Sequence, residues 1–306
     1  MTKQDLRIVF MGTPDFAVPS LEILVENHYQ VVAVITAPDK PAGRGMKLQQ
    51  SAVKKAALKH NIPVLQPKNL KNEAFLEELR SYQANLQIVV AFRMLPVVVW
   101  DMPEIGTFNL HGSLLPNYRG AAPINWAVMN GETETGVTTF FLKHKIDTGD
   151  IIMRDTEPIH EADTVGDVYG RLMHKGAQLV LKTVQAIENN EYELVQQDLT
   201  IPTKKAPKIH KEDCEVDFGK TTKEVYDFIR GLSPYPTAWA TLQNKKFKFF
   251  KAEKVSADHQ NAEIASDNKT YLHLKTADGY ISILELQAEG KKRMAIADYL
   301  RGNKFE

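Results

Sequence analysis

The sequence predicts a doubly wound, mostly parallel α/β sheet followed by a smaller C-terminal domain that folds as a β-barrel. Two observations lead to this prediction. Short apolar runs alternate with amphipathic segments of helical period through the first half of the chain, whereas the last third contains short strand-like runs and one helical segment. The length of 306 residues is comfortable for two domains.

The first half supplies the parallel sheet. Its strand-like and helix-like segments follow one another in the order LRIVFM, PSLEILVENH, YQVVAVIT, SAVKKAALKH, IPVLQP, NEAFLEELRSY, LQIVVAF and IGTFNLH. Continuous apolar runs such as LQIVVAF are typical of strands that are buried on both faces, as in parallel sheets. Repeated β-α-β units of this length predict right-handed crossovers, with ligands bound beyond the carboxyl ends of the strands.

The C-terminal part is predicted from its own pattern. Residues 164–189 have helical period, with Thr164 at the N-cap, and the polar segment that follows has two prolines and no clear period. Beyond it lie the helix-like TTKEVYDFIRGL, the strand-like AWATLQ and KKFKFFKAEKV, and TYLHLKTADGYISILELQ, whose Asp-Gly pair marks a hairpin. We therefore predict a first domain over 1–190, a linker over 191–209, and a β-barrel similar to the oligonucleotide-binding type over 210–306.

The composition excludes several protein classes. Apolar and charged fractions of 43% and 25% are ordinary for a globular protein, so extended disorder is not expected. The N-terminus lacks a signal-peptide core, and no run approaches the roughly 20 apolar residues that span a bilayer. The single cysteine, Cys214, excludes an internal disulfide and a cysteine-based zinc site. We expect a cytoplasmic monomer with no metal and no membrane contact.

Charge is unevenly distributed along the chain. Residues 1–200 contain 19 Lys and Arg against 23 Asp and Glu, whereas residues 201–306 contain 19 against 15, so the C-terminal third is basic. Its basic clusters lie at 204–205, 244–251 and 290–293. One such cluster is compatible with a solvated face, but three in a small domain favour a polyanionic partner.

Two polar residues, Asn109 and His111, stand at the end of the strand-like run IGTFNLH. Residues two apart on a strand face the same side, so these side chains are predicted to point together. An asparagine amide can donate to a developing oxyanion, and histidine can move a proton near neutral pH. An isolated Asn-x-His pair is also compatible with strand capping, but Gly112 and the proline-rich continuation favour a rigid wall beside a site.

A third polar residue, Asp147, opens the sequence DTGD after another apolar run. By itself, DTGD favours an Asx-type turn that simply closes a hairpin. The segment MGTPDF, after the first strand, has one glycine and no Lys-Ser or Lys-Thr pair, so it matches neither the dinucleotide fingerprint nor the P-loop. The sheet is therefore predicted without the nucleotide cofactors that commonly bind it.

Several motifs in a fixed order resemble the folate-dependent formyltransferase family over nearly the whole chain. They are MGTPDF, PDKPAGRG, AFRMLP, HGSLLPNYRGAAPI, the DTGD loop, GLSPYPTAW and GKKRM. The resemblance is strongest for the members that formylate methionyl-tRNA. It implies a formyltransferase Rossmann-like first domain, 10-formyltetrahydrofolate as the donor cosubstrate, and the α-amino group of methionyl-initiator tRNA as the acceptor, in translation initiation.

The resemblance carries the family's catalytic residues onto Asn109, His111 and Asp147. It implies direct attack of the amine on the formyl carbon, with Asn109 stabilising the oxyanion by roughly 3 kcal/mol. His111 shares that role or moves the proton, and Asp147 orients His111 and relays protons; which of these two is the primary base stays open. Neither a Ser or Cys nucleophile nor a metal-ligand cluster is indicated.

The resemblance also implies binding residues. The folate pocket maps onto Ser113, Leu114, Leu115 and Pro116, with Met94 and Leu95 on the pterin side. Relatives usually have a glycine where this chain has Arg93, which can contact the donor's glutamate tail or point to solvent. The loop PDKPAGRGMKLQQ at 38–50, which is otherwise an ordinary connection, corresponds to the family's tRNA contact, with Arg44 as the contact residue and Lys40 and Lys47 adding charge.

Two alternatives remain at this stage. A relative that formylates a small amine, such as glycinamide ribonucleotide or an amino-sugar nucleotide, shares the Asn, His and Asp but needs neither a basic barrel nor the PAGRG loop. An RNA-binding module that uses the α/β half as a scaffold makes no use of a complete catalytic trio. Parallel assays with charged tRNA and small amines separate these alternatives.

Overall fold

The computed structural model describes residues 2–3, 5–42 and 47–305. Its strands, in chain order, are β1 (Arg7–Gly12), β2 (Gln30–Ile35), β3 (Lys40–Ala42), β4 (Lys47–Gln49), β5 (Val64–Leu65), β6 (Leu86–Val90), β7 (Gly106–His111), β8 (Arg119–Gly120), β9 (Glu134–Phe141), β10 (Ile151–Pro158), β11 (Lys205–Ala206), β12 (Ala238–Leu242), β13 (Lys245–Val255), β14 (Ile264–Ser266), β15 (Leu272–Lys275), β16 (Tyr280–Ala288) and β17 (Met294–Ala295). Its α-helices are α1 (Val18–Glu26), α2 (Ala52–Lys59), α3 (Glu73–Ser81), α4 (Val97–Trp100), α5 (Pro123–Met129), α6 (Val165–Asn189), α7 (Thr222–Gly231) and α8 (Ile296–Leu300).

The chain forms two compact units. The first unit consists of Met1–Arg119, Gly136–Glu157 and Gly170–Lys204. The second unit consists of Gly120–Thr135, Pro158–Tyr169 and Lys205–Glu306. Within the described residues, no helix is both long and apolar enough to cross a membrane.

The first unit contains a seven-stranded sheet in the order β10-β9-β7-β6-β1-β2-β5. The pairs among β1, β2, β5, β6 and β7 are parallel, and β9 runs antiparallel to β7. All five residues of β6 are buried, as expected of a strand that is covered on both faces. The predicted doubly wound, mostly parallel sheet is confirmed, and the ends of the neighbouring strands β6 and β7 lie side by side.

Helix α3 illustrates how local sequence and packing together build this unit. The side chain of Asn72 accepts a hydrogen bond from the backbone N–H of Phe75 at 3.1 Å, which caps the helix start. Phe75, Leu76 and Leu79 recur at helical spacing, and all three are buried in a core cluster with residues of β1 and β6. The amphipathic period that predicted the helix therefore also fixes the face by which it packs.

The single glycine of MGTPDF has a packing role. A Cβ atom on Gly12 would lie 2.7 Å from the Cβ of Ala17 and 3.0 Å from the carbonyl oxygen of Val90. Real side chains essentially never approach so closely, so a glycine is needed for the chain to pass between these neighbours. This requirement explains the glycine without a phosphate ligand.

The segment 38–50, expected as a connecting loop between a strand and a helix, contains an antiparallel hairpin of β3 and β4. Its base is held by a salt bridge of 2.6 Å between Lys54 and Asp39, and Lys54 also donates to Gln66 at 2.7 Å. The Lys54 hydrogen bond is the largest of the causes that lower the pKa of the Asp39 carboxyl below its ordinary value. The segment is thus a connection between β2 and α2 that contains two short strands, which the sequence did not predict.

The second unit contains an antiparallel sheet in the order β12-β13-β16-β15-β14, with β17 paired to β16. Alternate residues of β13, such as Phe247 and Phe249, are buried in a core that also includes Val225 and Ile229 of α7. Among the described residues β12 and β14 are not paired with each other, so this curled sheet forms a half-barrel and not a closed barrel. The predicted β-rich C-terminal fold is confirmed in this form.

Candidate active site

Asn109 lies on β7 with its backbone fixed on both sides. It pairs with Val89 of β6 in parallel register and with Phe140 of β9 in antiparallel register. The side chain of Asn109 is half-exposed, and within the described residues it makes no side-chain hydrogen bond. Its amide is therefore available to a bound molecule.

His111 ends the same strand and is buried, with 6% of its surface exposed. Its Nε2 atom lies 2.8 Å from the carbonyl oxygen of Tyr118. A carbonyl oxygen can only accept a hydrogen bond, so Nε2 carries the hydrogen and Nδ1 is directed elsewhere. In the neutral imidazole, Nδ1 is then the nitrogen with the free lone pair.

Asp147 provides the group that Nδ1 faces. Its Oδ2 atom lies 3.9 Å from Nδ1 of His111, although 36 residues of sequence separate them. Closing this gap to hydrogen-bonding distance requires a shift of about 1 Å. The structure thus brings together His111 and Asp147, and Asn109 stands two residues before His111 on the same face of β7.

The loop that carries Asp147 is held by two residues that sequence reasoning did not select. The carbonyl oxygen of Asp147 accepts a hydrogen bond from Nε of Arg119 at 3.1 Å and another from Nε2 of Gln197 at 3.0 Å. Burial lowers the pKa of the Arg119 guanidinium, and the neighbouring Asp147 charge opposes that shift. Arg119 lies within the quoted YRGAAP motif, whereas Gln197 lies in the segment interpreted as a linker, where no pattern singled it out.

The residues predicted to bind folate through HGSLLP are mostly engaged within the protein. Ser113 is fully buried, and its hydroxyl donates to the carbonyl oxygen of Asn117 at 2.7 Å. Leu115 is 1% exposed, and its N–H donates to the Thr138 hydroxyl at 3.2 Å. Leu114 and Pro116 are half-exposed, so within this stretch these two side chains have surface to offer a ligand.

The stretch after β6 contains one exposed and one buried residue of the two predicted on the pterin side. The Met94 side chain is 75% exposed, whereas Leu95 is 9% exposed and belongs to a core cluster. Arg93 donates to the backbone carbonyl oxygens of Pro67 and Lys68, the latter at 3.0 Å. Its guanidinium is therefore engaged by the neighbouring loop in this structure.

Two of the three residues predicted to contact tRNA lie on the strands of the β3–β4 hairpin. Lys40 is exposed at the first position of β3, opposite Gln49. Lys47 begins β4, and Arg44 lies outside the described residues. Among the residues that the structure describes, no group of three or more His, Cys, Asp or Glu side chains could hold a metal ion.

The chain matches known proteins over its full length. It matches the family described as formyl transferase over residues 6–184 and the formyl transferase C-terminal domain over residues 208–304. It is 55% identical to a methionyl-tRNA formyltransferase of Bacteroides fragilis, over 99% of this chain and 96% of the relative. It is 57% identical to the enzyme of that name from Phocaeicola vulgatus, over 99% and 97%.

Solved structures share the fold at lower identity. WlaRD, a sugar 3N-formyl transferase studied with dTDP and 5-N-formyl-THF, superposes with a TM-score of 0.69 at 23% identity, over 94% of this chain and 99% of that one. An N-formyltransferase from Helicobacter canadensis, in complex with folinic acid and dTDP-3-aminofucose, gives a TM-score of 0.69 at 23% identity, over 94% and 100%. With matches to both family domains and relatives more than 50% identical along the whole chain, this protein belongs to the formyl transferase family.

Proposed function

We propose that this protein transfers the formyl group of 10-formyltetrahydrofolate to the α-amino group of methionyl-initiator tRNA, which prepares that tRNA for translation initiation. The observation that carries the chemistry is the approach of Asp147 to His111 beside the available amide of Asn109. The acceptor is supported by the full-length relatives named for this reaction. Since charged initiator tRNA is a cytoplasmic substrate, we propose a cytoplasmic enzyme, acting as a monomer.

Asn109 is proposed to stabilise the oxyanion. Attack of a neutral amine on the formyl carbon puts negative charge on the formyl oxygen, and the Asn109 amide offers N–H donors for it. Its backbone is fixed by strands on both sides, so the amide needs little reorganisation to make this bond. A single donor of this kind contributes roughly 3 kcal/mol to the transition state.

His111 and Asp147 are proposed to handle the proton that the attacking nitrogen loses. Because the Nε2 hydrogen is bonded to the carbonyl oxygen of Tyr118, the proton is taken up and released at Nδ1, which faces Asp147. When Nδ1 takes the proton, the imidazolium faces the Asp147 carboxylate, and opposite charges favour this state. The proton then passes to the leaving nitrogen of the donor, so no net proton is gained or lost at the pair.

The donor's ring system is proposed to bind beside the ends of β6 and β7. Three exposed apolar side chains, Met94, Val97 and Val98, follow β6 in the sequence, and a fourth, Ile146, directly precedes Asp147; they are exposed by 42% to 75%. Exposed apolar side chains can form the wall of a ligand site, and a pterin needs apolar walls with nearby polar backbone groups. Met94, Leu114 and Pro116 thus remain proposed side-chain contacts, whereas Ser113, Leu95 and Leu115 would contribute through their backbone or by supporting the wall.

The acceptor tRNA is proposed to contact a basic face of the second unit. On the outer side of β12 and β13, Trp239 pairs with Lys248, and the Lys246 ammonium lies 3.0 Å from the centre of the Trp239 ring. The Arg293 guanidinium lies 4.5 Å from the centre of the Phe250 ring on the same strand. Cations interleaved with aromatic rings suit an RNA backbone and its bases. The β3–β4 hairpin with Lys40 and Lys47 is the second proposed contact. Arg44, which lies outside the described residues, stays a proposed contact on the resemblance alone.

A formyltransferase of small amines is the other candidate, because sugar N-formyltransferases share the fold. Fold alone does not determine the substrate, and their identity to this chain is 23%. Relatives with more than twice that identity along the full length carry the methionyl-tRNA name, so the small-amine function is not favoured.

An acceptor comparison tests the proposed function. The full-length protein is given 10-formyltetrahydrofolate together with charged initiator tRNA, free methionine, glycinamide ribonucleotide or an amino-sugar nucleotide. We expect product only with the charged tRNA, measured as formyl-methionine after deacylation. Turnover of a small amine at a comparable rate would overturn the proposal.

The basic face can be tested by charge reversal. In the double variant Lys246→Glu, Lys248→Glu, we expect the affinity for charged tRNA to fall and its dependence on salt to weaken, because each lost phosphate contact reduces the log–log slope by roughly 0.7 to 0.9. Lys71→Glu, at an exposed lysine of the first unit, is the matched control. An unchanged salt slope in the double variant would exclude this face from tRNA binding.

A further inference from the structure

The loop that carries Asp147 is fixed by side chains from two distant parts of the chain. We propose that Arg119 and Gln197 are positioning residues that hold the Asp147 carboxylate against His111. This inference rests on the proposed function, because it assigns a role through Asp147 in that reaction. Neither residue reaches the reacting atoms by its own contacts; both act on the backbone of the loop.

The contacts of Gln197 define the first part of this role. Its Nε2 donates to the carbonyl oxygen of Asp147 at 3.0 Å and to that of Gly149 at 2.8 Å. Asp147 has a φ of 52°, a left-handed conformation that L-residues adopt at some cost. Two carbonyl groups tied to one amide therefore stabilise the turn in which the Asp147 side chain is directed toward the imidazole.

Arg119 sets the orientation of that amide. Its Nη2 donates to Oε1 of Gln197 at 2.7 Å, while its Nε donates to the carbonyl oxygen of Asp147. Because Oε1 faces a guanidinium that can only donate, Nε2 must face the loop carbonyls. Gln197 is 5% exposed, and a buried amide whose groups are all bonded resists reorientation.

The segment of residues 118–119 also holds His111, the residue that Asp147 faces. Tyr118, the residue before Arg119, accepts the Nε2 hydrogen of His111 at 2.8 Å. The N–H of Tyr118 donates to the carbonyl oxygen of Lys204 at 2.6 Å. Residues 118–119 thus fix the ring of His111 through a carbonyl and the backbone of Asp147 through a guanidinium, so the two side chains share one support.

Gln197 is itself anchored to the sheet. Two residues earlier, Val195 forms an antiparallel bridge with Ile151, with N–O distances of 2.8 Å and 2.9 Å. This bridge lies just after the loop that carries Asp147. The polar segment that contains Gln197 is therefore attached beside the loop it holds.

The variant Gln197→Glu isolates the donor function. A glutamate of the same size can still accept from Arg119 but cannot donate to the carbonyls of Asp147 and Gly149. We expect kcat for formylation of charged tRNA to fall about tenfold to a hundredfold, as a misplacement of about 1 Å produces, while KM for donor and tRNA changes less than twofold. Gln196→Glu, the same change at the exposed neighbouring residue, is expected to leave both constants unchanged.

A double-variant cycle distinguishes positioning from general damage. If Gln197 acts through Asp147, then Gln197→Glu in an Asp147→Asn background should lower kcat less than twofold further. Full, multiplicative losses in that background would overturn the inference, as would an unchanged kcat in the single variant. Arg119→Lys, which keeps the charge but not the planar fork, replaces Gln197→Glu in the cycle if that variant fails to fold.

Failure of the proposed function gives different results. No formylation of charged tRNA by the unmodified enzyme, or full kcat in Asp147→Asn alone, would contradict the proposed function and the inference with it. A normal unmodified enzyme, a slow Asp147→Asn variant and an unaffected Gln197→Glu variant would contradict the positioning role alone.

Discussion

Asn109 and His111 lie on a strand, whereas Asp147 lies in a loop, and different interactions hold these two regions. β7 is paired along its length, so the direction of each side chain follows from the register of the sheet. The Asp147 loop is held by side chains 28 and 50 residues away in sequence. The directions of the Asn109 and His111 side chains thus follow from the strand, whereas the position of Asp147 depends on residues that are distant in sequence.

This difference sets how each region responds to substitution. A side chain on a strand can be changed without moving the backbone, because the ladder bonds belong to the main chain. A loop in a left-handed conformation depends on the few side chains that bond its carbonyls. Substitutions on β7 should therefore change a catalytic side chain without moving the backbone. Substitutions that affect the loop should instead displace Asp147.

The largest expected effect is at Asn109. Asn109→Ala removes a donor that has no partner in the described part of the chain, so no buried group is left unsatisfied and folding should be normal. We expect kcat to fall by about two to three orders of magnitude. Steady-state kinetics with charged tRNA, beside a thermal unfolding curve, measures both effects.

Two further variants sharpen that result. Asn109→Asp keeps the size but replaces the donors by negative charge, so its loss should be at least as large. Asn69→Ala, a surface asparagine of the first unit, should leave kcat unchanged. A loss at Asn109 that appeared mainly in KM would indicate ground-state binding and contradict the oxyanion role.

An intermediate effect is expected at Gly149, in the loop. A Cβ atom there would lie 1.6 Å from the carbonyl oxygen of Phe141, so Gly149→Ala must displace the segment whose carbonyl Gln197 binds. Displacement by about 1 Å can cost a hundredfold in rate, and we expect a kcat loss of about that size. Single-turnover kinetics measures this loss on the chemical step itself.

The matched control for this change is Gly170→Ala. A Cβ atom at Gly170 has no heavy atom within 4 Å, and the residue lies within α6. The control should keep full activity and gain up to about 1 kcal/mol of stability from helix propensity. Equal activity losses in the two alanine variants would show that the loop displacement is not the cause.

The same comparison explains what the sequence could predict. Asn109 and His111 are identifiable from a period of two at the end of an apolar run, since strands place alternate residues on one face. The parallel sheet is likewise predictable, because repeated β-α-β units are visible as a succession of local patterns. The β3–β4 hairpin could not be predicted, because such short, polar strands leave no recognisable pattern in the sequence. The role of Gln197 could not be predicted either, because its hydrogen bond joins residues 50 positions apart.

The basic face gives a second case of this limit. The clusters at 244–251 and 290–293 are visible as charge, but their approach on one sheet depends on the pairing of β13 with β16 and of β16 with β17. Register between distant strands is set by packing of the whole core. The charge composition therefore suggested a polyanionic partner, but only the structure shows which basic residues lie together on one face.

The smallest expected effect concerns a feature that is entirely local. Helix α7 begins with a capping box in which Thr221 bonds the backbone N–H of Glu224 and the Glu224 carboxylate bonds back to Thr221. Thr221→Ala should lower the free energy of unfolding by about 1 kcal/mol, the usual value of an N-cap, and leave kcat unchanged. Denaturant unfolding and the tRNA assay measure the two quantities.

The pH dependence of that small effect tests its cause. The hydrogen bonds from Thr221 lower the pKa of Glu224 in the folded state below its ordinary value of 4.5. A depressed carboxyl pKa stabilises the fold above that ordinary value, and the contribution is lost as the pH falls further through the folded-state pKa. The stability difference between the unmodified protein and Thr221→Ala should therefore shrink as the pH falls below 4.5. A constant difference from pH 7 to the acid limit of folding would assign the cost to the hydrogen bond from the Glu224 backbone N–H to the Thr221 hydroxyl, because that bond does not titrate.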